Sequence, residues 1–311
     1  MCDSNPTIFS ETLNSLSGPV KYTLLNDVVF HIAMNRSQNV ALKGLISSLL
    51  GVPDSDIRNV HILNPYDYKT ASAKYVILDV KVEFNDSEHL NIELQTYHDD
   101  YWSNRSLVYL GRTFDDLESG TDYSKIFPAT HVSIMTYDMF PDHPEFYAHY
   151  LMKNVKNDNV YATNFRLNVL CLKHTGLATK EDRENGLVSW ARLFLATTWE
   201  EVRELALESP ALKEVAESMA RSNTDRQEEY LAQAQIDFIR SFGSVYQSGI
   251  NEGERKSAAI IAKQADKISA QAATISEKDT IISGMDAALS EKDAEIASLK
   301  AELASLKGFN N

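Results

Sequence analysis

The stretch that decides the fold is Tyr75 to Tyr97, YVILDVKVEFNDSEHLNIELQTY, and it alternates. Val76, Leu78, Val80, Val82 and Phe84 fall on one side of an extended chain, with Tyr75, Ile77, Asp79, Lys81 and Glu83 on the other,. Past Asn85-Asp86-Ser87 the alternation resumes, with Leu90, Ile92 and Leu94 apolar and Asn91, Glu93, Gln95 and Tyr97 between them. A hairpin must match like face with like. A loop of Asn85, Asp86 and Ser87 does so by setting Phe84 opposite Glu88 and Asp79 opposite Glu93,. Two carboxylates then share one side of a sheet, with Cβ atoms roughly 4.5–5.5 Å apart. Like charges that close repel unless a cation lies between them, and such oxygen ligands suit Mg²⁺ or Mn²⁺. Lys81 and Gln95 project from the same face, where either could orient a water or a phosphate oxygen. The same pattern also fits a plain wet hairpin face on which Lys81 pairs with Glu93 or Glu83 and no metal is needed.

On either side of the hairpin, Ile57–Leu63 and Thr130–Tyr137 are short, rich in β-branched or aromatic residues, and read as strands,. Leu24 to Leu50 carries helical spacing in two short pieces that stop at Gly51-Val52-Pro53, and Tyr101–Glu118 reads as a further helix,. Tyr161–Leu172 is a later strand, followed by helical periods broken at Pro210 and at Ser222-Asn223-Thr224. These readings predict an α/β core over residues 21–175 with helices flanking a mixed central sheet, a polar and flexible leader over 1–20, and a helical subdomain over 176–253,. From residue 254 the composition shifts to Ala, Ser, Lys, Glu and Ile. Ile261, Ile268, Ile275, Ile282, Leu289, Ile296 and Leu303 recur every seven residues, which predicts a coiled coil over 254–307, a tail over 308–311 and a homo-oligomer,.

Of 311 residues, 43% are apolar and 24% charged, which excludes a collagenous, disulfide-framed or wholly disordered chain,. The net charge of −14 argues against holding nucleic acid by overall positive potential, and residues 21–140 carry 10 Lys and Arg against 16 Asp and Glu,. Any DNA contact has to be local or metal-assisted, with Arg36, Lys43, Lys69, Lys74, Arg105 and Arg112 gathered on one rim. Cys2 and Cys171 have no metal-ligand spacing, so neither a zinc site nor a disulfide is expected, and a reducing compartment fits,. With no secretory signal pattern and no long apolar run, the expected location is cytoplasmic, away from membrane,. Asp27 and His31 lie one helical turn apart, a spacing that reads as structural for His31. No Gly-rich phosphate loop, GxSxG turn or HExxH pair is present,.

Asn26-Asp27-Val28-Val29-Phe30, Ile62-Leu63-Asn64-Pro65, Ile77-Leu78-Asp79-Val80-Lys81, Asn91-Ile92-Glu93-Leu94-Gln95, Arg105-Ser106-Leu107-Val108-Tyr109 and Gly120-Thr121-Asp122-Tyr123 occur in that order. Together they resemble the Rpn family of recombination-promoting nucleases, transposases of the PD-(D/E)XK superfamily, over about residues 24–253. The resemblance implies a restriction-endonuclease-like core and Mg²⁺- or Mn²⁺-dependent cleavage of double-stranded DNA. It implies that Asp79 and Glu93-x-Gln95 correspond to the Asp and Glu-x-Lys of the superfamily, and that Asp27 matches the acidic residue of the first helix, giving Asp79, Glu93 and Asp27 as metal ligands. Gln95 stands where Lys is usual in the superfamily, though Gln is typical of this family. Lys81 shares the face of Asp79 and could supply the missing ammonium, and Arg105 could reach a DNA phosphate or pair with an Asp. The competing expectation is a catalytically inactive nuclease fold that serves as an interaction protein, oligomerised by its coiled coil.

Overall fold

The computed structural model describes residues 9–35, 39–63, 79–115 and 122–308, with Asp79, Phe242 and residues 305–308 described by backbone alone. Tyr75–Leu78 of the predicted strand, and Cys2, Arg36, Lys69 and Lys74, lie outside those residues. The helices are α1 (Glu11–Ser15), α2 (Asp27–Met34), α3 (Val40–Leu50), α4 (Trp102–Phe114), α5 (Lys180–Glu184), α6 (Leu187–Leu195), α7 (Trp199–Ala206), α8 (Pro210–Ser222) and α9 (Arg226–Gly308). The strands are β1 (Val60–Ile62), β2 (Asp79–Phe84), β3 (Glu88–Gln95), β4 (Ala129–Met135), β5 (Tyr147–Lys153) and β6 (Val160–Cys171). The chain divides into two units, Met1–Arg240 and Ser241–Asn311.

In the first unit the strands form one mixed sheet in the order β1-β2-β3-β4-β6-β5. β3, β4 and β6 run parallel in its interior, with β1 and β2 antiparallel on one side and β5 antiparallel on the other. The β2–β3 turn takes the predicted register: Phe84 faces Glu88 and Asp79 faces Glu93. Asn85 and Asp86 hold φ of 56° there, a left-handed conformation that Asn and Asp tolerate better than most residues,. The Asn85 side chain ties the turn back, accepting from the Arg58 N–H and donating to the Asp56 carbonyl.

Both faces of the sheet are covered, as parallel strands require. Val80, Val82, Phe84, Leu90, Ile92, Leu94, Val132 and Ile134 are buried on one face in a core shared with α2, α3, α6 and α8. The face predicted to be polar lies under α4, through Trp102 and Leu110. His89, Asn91, Glu93, Gln95, His131 and Ser133 are therefore buried, and the wet-hairpin alternative fails for β3.

Three further features go beyond the sequence reading. The described part of the predicted leader packs onto the body: Leu13 is fully buried and the Val20 N–H donates to the Thr197 carbonyl, because this short segment closes the core against α8. β5 has no counterpart in the sequence reading, since an exposed edge strand shows little apolar alternation,. The basic residues expected on one rim are split: Lys43 is on α3, whereas Arg105 and Arg112 are on α4, across the sheet. In the second unit, residues 241–308 are helical, and Ile261 through Leu303 of the heptad are all exposed. No helix among the described residues is long and apolar enough to cross a membrane.

Candidate active site

The β2–β3 register puts the Asp79 backbone directly against that of Glu93, Lys81 against Asn91, and Gln95 beside Met135 of β4. Period 2 then sends residues 79 and 81 to the face that holds Glu93 and Gln95. Glu93 is 9% exposed and Gln95 8%, so burial, not solvent, sets the local electrostatics. Arg105 of α4 reaches Glu93, its Nη2 lying 3.4 Å from Oε1. The same guanidinium donates to Asp99 Oδ2 at 2.8 Å and to the Tyr109 hydroxyl at 3.1 Å, and lies over the Trp102 and Tyr109 rings. Burial alone would lower the Arg105 pKa, but these hydrogen bonds and the Glu93 charge hold it above its ordinary value. Asp99 is partly desolvated, which favours its neutral form, yet Arg105 and the Tyr101 N–H hold its carboxyl below the usual range. Arg105 is thus tied to protein acceptors, and its geometry matches the Asp-pairing expectation more closely than a free phosphate contact. Gln95 donates from Nε2 to the Tyr97 carbonyl at 2.9 Å.

Asp27 opens α2, where Asn26 caps the helix by accepting from the Val28 and Val29 N–H groups. Gln235 of α9 clamps this end: its Nε2 donates to Asp27 Oδ2 and its Oε1 accepts from the Val28 N–H at 3.3 Å. Burial raises the Asp27 carboxyl to about 7, with the Gln235 bond pulling the other way. Its Oδ1 is buried with no hydrogen-bond partner among the described residues. Beside this helix end a cavity of about 360 Å³ opens at the C-terminal ends of β3 and β4, lined by Lys21, Asn26, Thr96, Tyr97, Thr136 and Gln235 among others. The Tyr97 phenol is raised, first by burial and in smaller part by the Asp27 charge, so Asp27 and the residues just past Gln95 feel one another.

Over residues 24–242 the chain matches the family model for the PD-(D/E)XK nuclease family transposases. It belongs to that family. No curated protein and no solved structure matches it. For a PD-(D/E)XK nuclease transposase, the fold above and a nuclease role tied to mobile elements follow from membership. The donors that Asp79, Glu93 and Asp27 offer are all carboxylate oxygens, and Asp27 Oδ1 is buried with no hydrogen-bond partner among the described residues, a chemistry that suits a divalent cation,.

Several residues around the candidate site carry no sequence signal. Gln235 lies 208 positions from Asp27 in the chain. Under α4, the Asn91 amide meets His131 Nδ1 at 3.1 Å, His131 Nε2 meets Ser133 Oγ at 3.3 Å, and the Trp102 indole donates to the same oxygen at 3.1 Å. With Asn91 donating, His131 is the neutral Nε2–H tautomer. Burial lowers its pKa to about 4, in accord with that form. A second titratable group set, Asp138, Cys171 and His174, gathers where β4 and β6 end, with its ligand atoms within 4.8 Å of one another. Burial raises the Cys171 thiol to about 11. His31, read as structural, is buried on α2.

Proposed function

We propose that this chain is a Mg²⁺- or Mn²⁺-dependent endodeoxyribonuclease that cuts double-stranded DNA in recombination or transposition and works as an oligomer joined through residues 254–307. The observation that carries the reading is the pairing of Asp79 with Glu93, with Gln95 on the same face beneath α4. Asp79, Glu93 and Asp27 would hold the ion. When bound, a divalent ion lowers the pKa of a coordinated water and offsets charge on the phosphate. Arg105 holds Glu93 through Nη2 while its Nη1 is tied to Asp99, which limits the Glu93 rotamers. The Gln95 amide and the Lys81 ammonium orient the attacking water or a phosphate oxygen, which raises the rate by alignment and charge.

The test is nicking of supercoiled plasmid with and without Mg²⁺. Wild type should nick only with metal, and Asp79→Ala should abolish nicking while preserving or raising thermal stability in metal-free buffer, because a repulsive pair is relieved. Equal nicking by both proteins would remove the assignment. Lys81→Met should lower turnover by about 100-fold or more, in the range of general acid–base contributions, while Mg²⁺ affinity stays nearly unchanged. Gln95→Ala should show a milder loss.

A second reading has its own support: Glu93 already faces an internal cation, and Lys43 is separated by the sheet from Arg105 and Arg112. On that reading the fold is a non-catalytic interaction module. Metal-independent inertness of pure wild type toward plasmid, together with intact folding, would favour it.

A further inference from the structure

The end of β6 and the turn after β4 bring together three different ligand types, none of them among the candidate active-site carboxylates. Cys171 closes β6, His174 lies in the short helical turn Leu172–Leu177 that follows, and Asp138 lies three residues past β4. Cys171 Sγ is 3.5 Å from Asp138 Oδ1, and His174 Nε2 bonds the same carboxylate. A cavity of about 20 Å³, the size of one water or one ion, opens beside them, and His143 lines it together with Asp138 and Cys171,.

We propose that Asp138, Cys171 and His174 form a Zn²⁺ site, with the fourth position taken by water or by His143. The donor chemistry decides the metal. One sulfur, one imidazole nitrogen and one carboxylate oxygen suit borderline-soft Zn²⁺, whereas Mg²⁺ takes oxygen alone. The spacing is right as well. Tetrahedral ligands at about 2.0–2.3 Å from the metal lie roughly 3.3–3.8 Å from one another, and the three atoms lie within 4.8 Å here. Closing on the ion means drawing these atoms together, with the direct Asp138–His174 bond opening to admit it. The Cys171 proton leaves to solvent as the sulfur–zinc bond forms, so charge and atoms balance. Lys173, whose Nζ lies 3.6 Å from Asp138 Oδ2, is half exposed and free to swing away from the added charge. The plain alternative is a His174–Asp138 ion pair with a nearby buried thiol.

The site would also brace the strand ends that carry the active-site candidates. Cys171 Sγ contacts the Tyr137 carbonyl, and Thr136 joins β4 to β3 through the Gln95 and Thr96 carbonyls.

The experiment is Co²⁺ and Zn²⁺ titration of the full chain, followed by absorption and by elemental analysis after gel filtration. Wild type should retain about one Zn²⁺ per chain and, with Co²⁺, develop a thiolate-to-cobalt charge-transfer band in the near ultraviolet. Cys171→Ser should lose the band, and His174→Gln should weaken binding at least 10-fold. Cys2→Ser should keep the band, which assigns the sulfur even should a Cys171 variant fold poorly. An Asp79→Asn, Glu93→Gln double variant should also keep it, so this site stands or falls apart from the nuclease assignment. No band in folded wild type at micromolar metal would overturn the proposal, as would equal Zn²⁺ retention by Cys171→Ser and His174→Gln.

Discussion

Two buried titratable residues give this protein opposed responses to pH. Asp27 has a folded pKa of about 7 against an ordinary 3.8, so the native state binds its proton more tightly than the unfolded chain does. Stability from this group is full below about pH 4 and is lost as pH rises through about 7. At 1.36 kcal/mol per pH unit the loss approaches about 4 kcal/mol. His131 acts in reverse: its pKa is lowered from 6.5 to about 4, so its share is full above about pH 6.5 and is lost as pH falls toward 4,. Between about pH 4 and 6.5 the two slopes offset each other. Asp27→Asn keeps an acceptor for Gln235 and removes the first slope, so the variant should match wild type near pH 4 and melt well above it near pH 8 in metal-free buffer. Thermal melts across that range check this, and parallel profiles would show that Asp27 is not held neutral. If Asp27 holds the ion as proposed, adding Mg²⁺ near pH 8 should raise the wild-type melting temperature and move the variant little, because Oδ1 would then gain a partner,. His131→Asn should shift the whole curve down and also flatten the acid limb.

At the scale of elements, the sheet is held to its helices by close approaches that allow little added volume. Gly44 on α3 faces Ala211 of α8, and a Cβ placed at Gly44 would overlap the Ala211 methyl. Helix propensity favours Gly44→Ala by about 1 kcal/mol, but overpacking costs about 1–3 kcal/mol. The substitution should therefore lower the melting temperature, by about 2–4 °C for each net kcal/mol, and Ala211→Gly in the same chain should restore most of it. A Gly44→Ala protein as stable as wild type would mean that α3 and α8 have room to part. The β2–β3 hairpin could be read from sequence because period 2 and a loop of Asn85, Asp86 and Ser87 admit one register, and that register alone pairs Asp79 with Glu93,. β5 could not, since of its residues only Ala148 is buried and its pairing comes from β6 across the Asn154–Asn159 turn. Burial of the polar face was equally hidden: Asn91 and Glu93 look like solvent residues until Trp102 and Leu110 of α4 cover them. The Arg105–Glu93, Gln235–Asp27 and Asp138–Cys171–His174 groupings are tertiary contacts, with no spacing rule to announce them.

For the whole molecule, the deciding quantity is the apolar seam of residues 254–307. Its seven a-type residues are all exposed on the single chain, from Ile261 at 64% to Leu303 at 56%. An isolated helix that long does not keep such a stripe in water without a partner. The d-type positions are uneven: Gln264, Gln271, Lys278 and Lys292 loosen the seam, whereas Leu299 and Leu306 tighten its end, so the coil should zip from its C-terminal third,. Residues 254–307 hold 8 Lys and Arg against 9 Asp and Glu, so nearly all of the acidic surplus of −14 lies in the rest of the chain. Association driven by Ile and Leu in a near-neutral segment should survive high salt, whereas phosphate contacts weaken steeply with it. Light scattering should accordingly give an oligomer for the full chain at micromolar concentration in both low and high salt, and a monomer for a chain ending at Gly253. Two nuclease units on one coil would bring two active sites to one duplex, so the shortened chain should retain single-strand nicking while losing most paired-strand cleavage. A monomeric full chain would remove the coil from the mechanism, and undiminished double-strand cutting by the shortened chain would show that pairing of the units is not what cuts both strands.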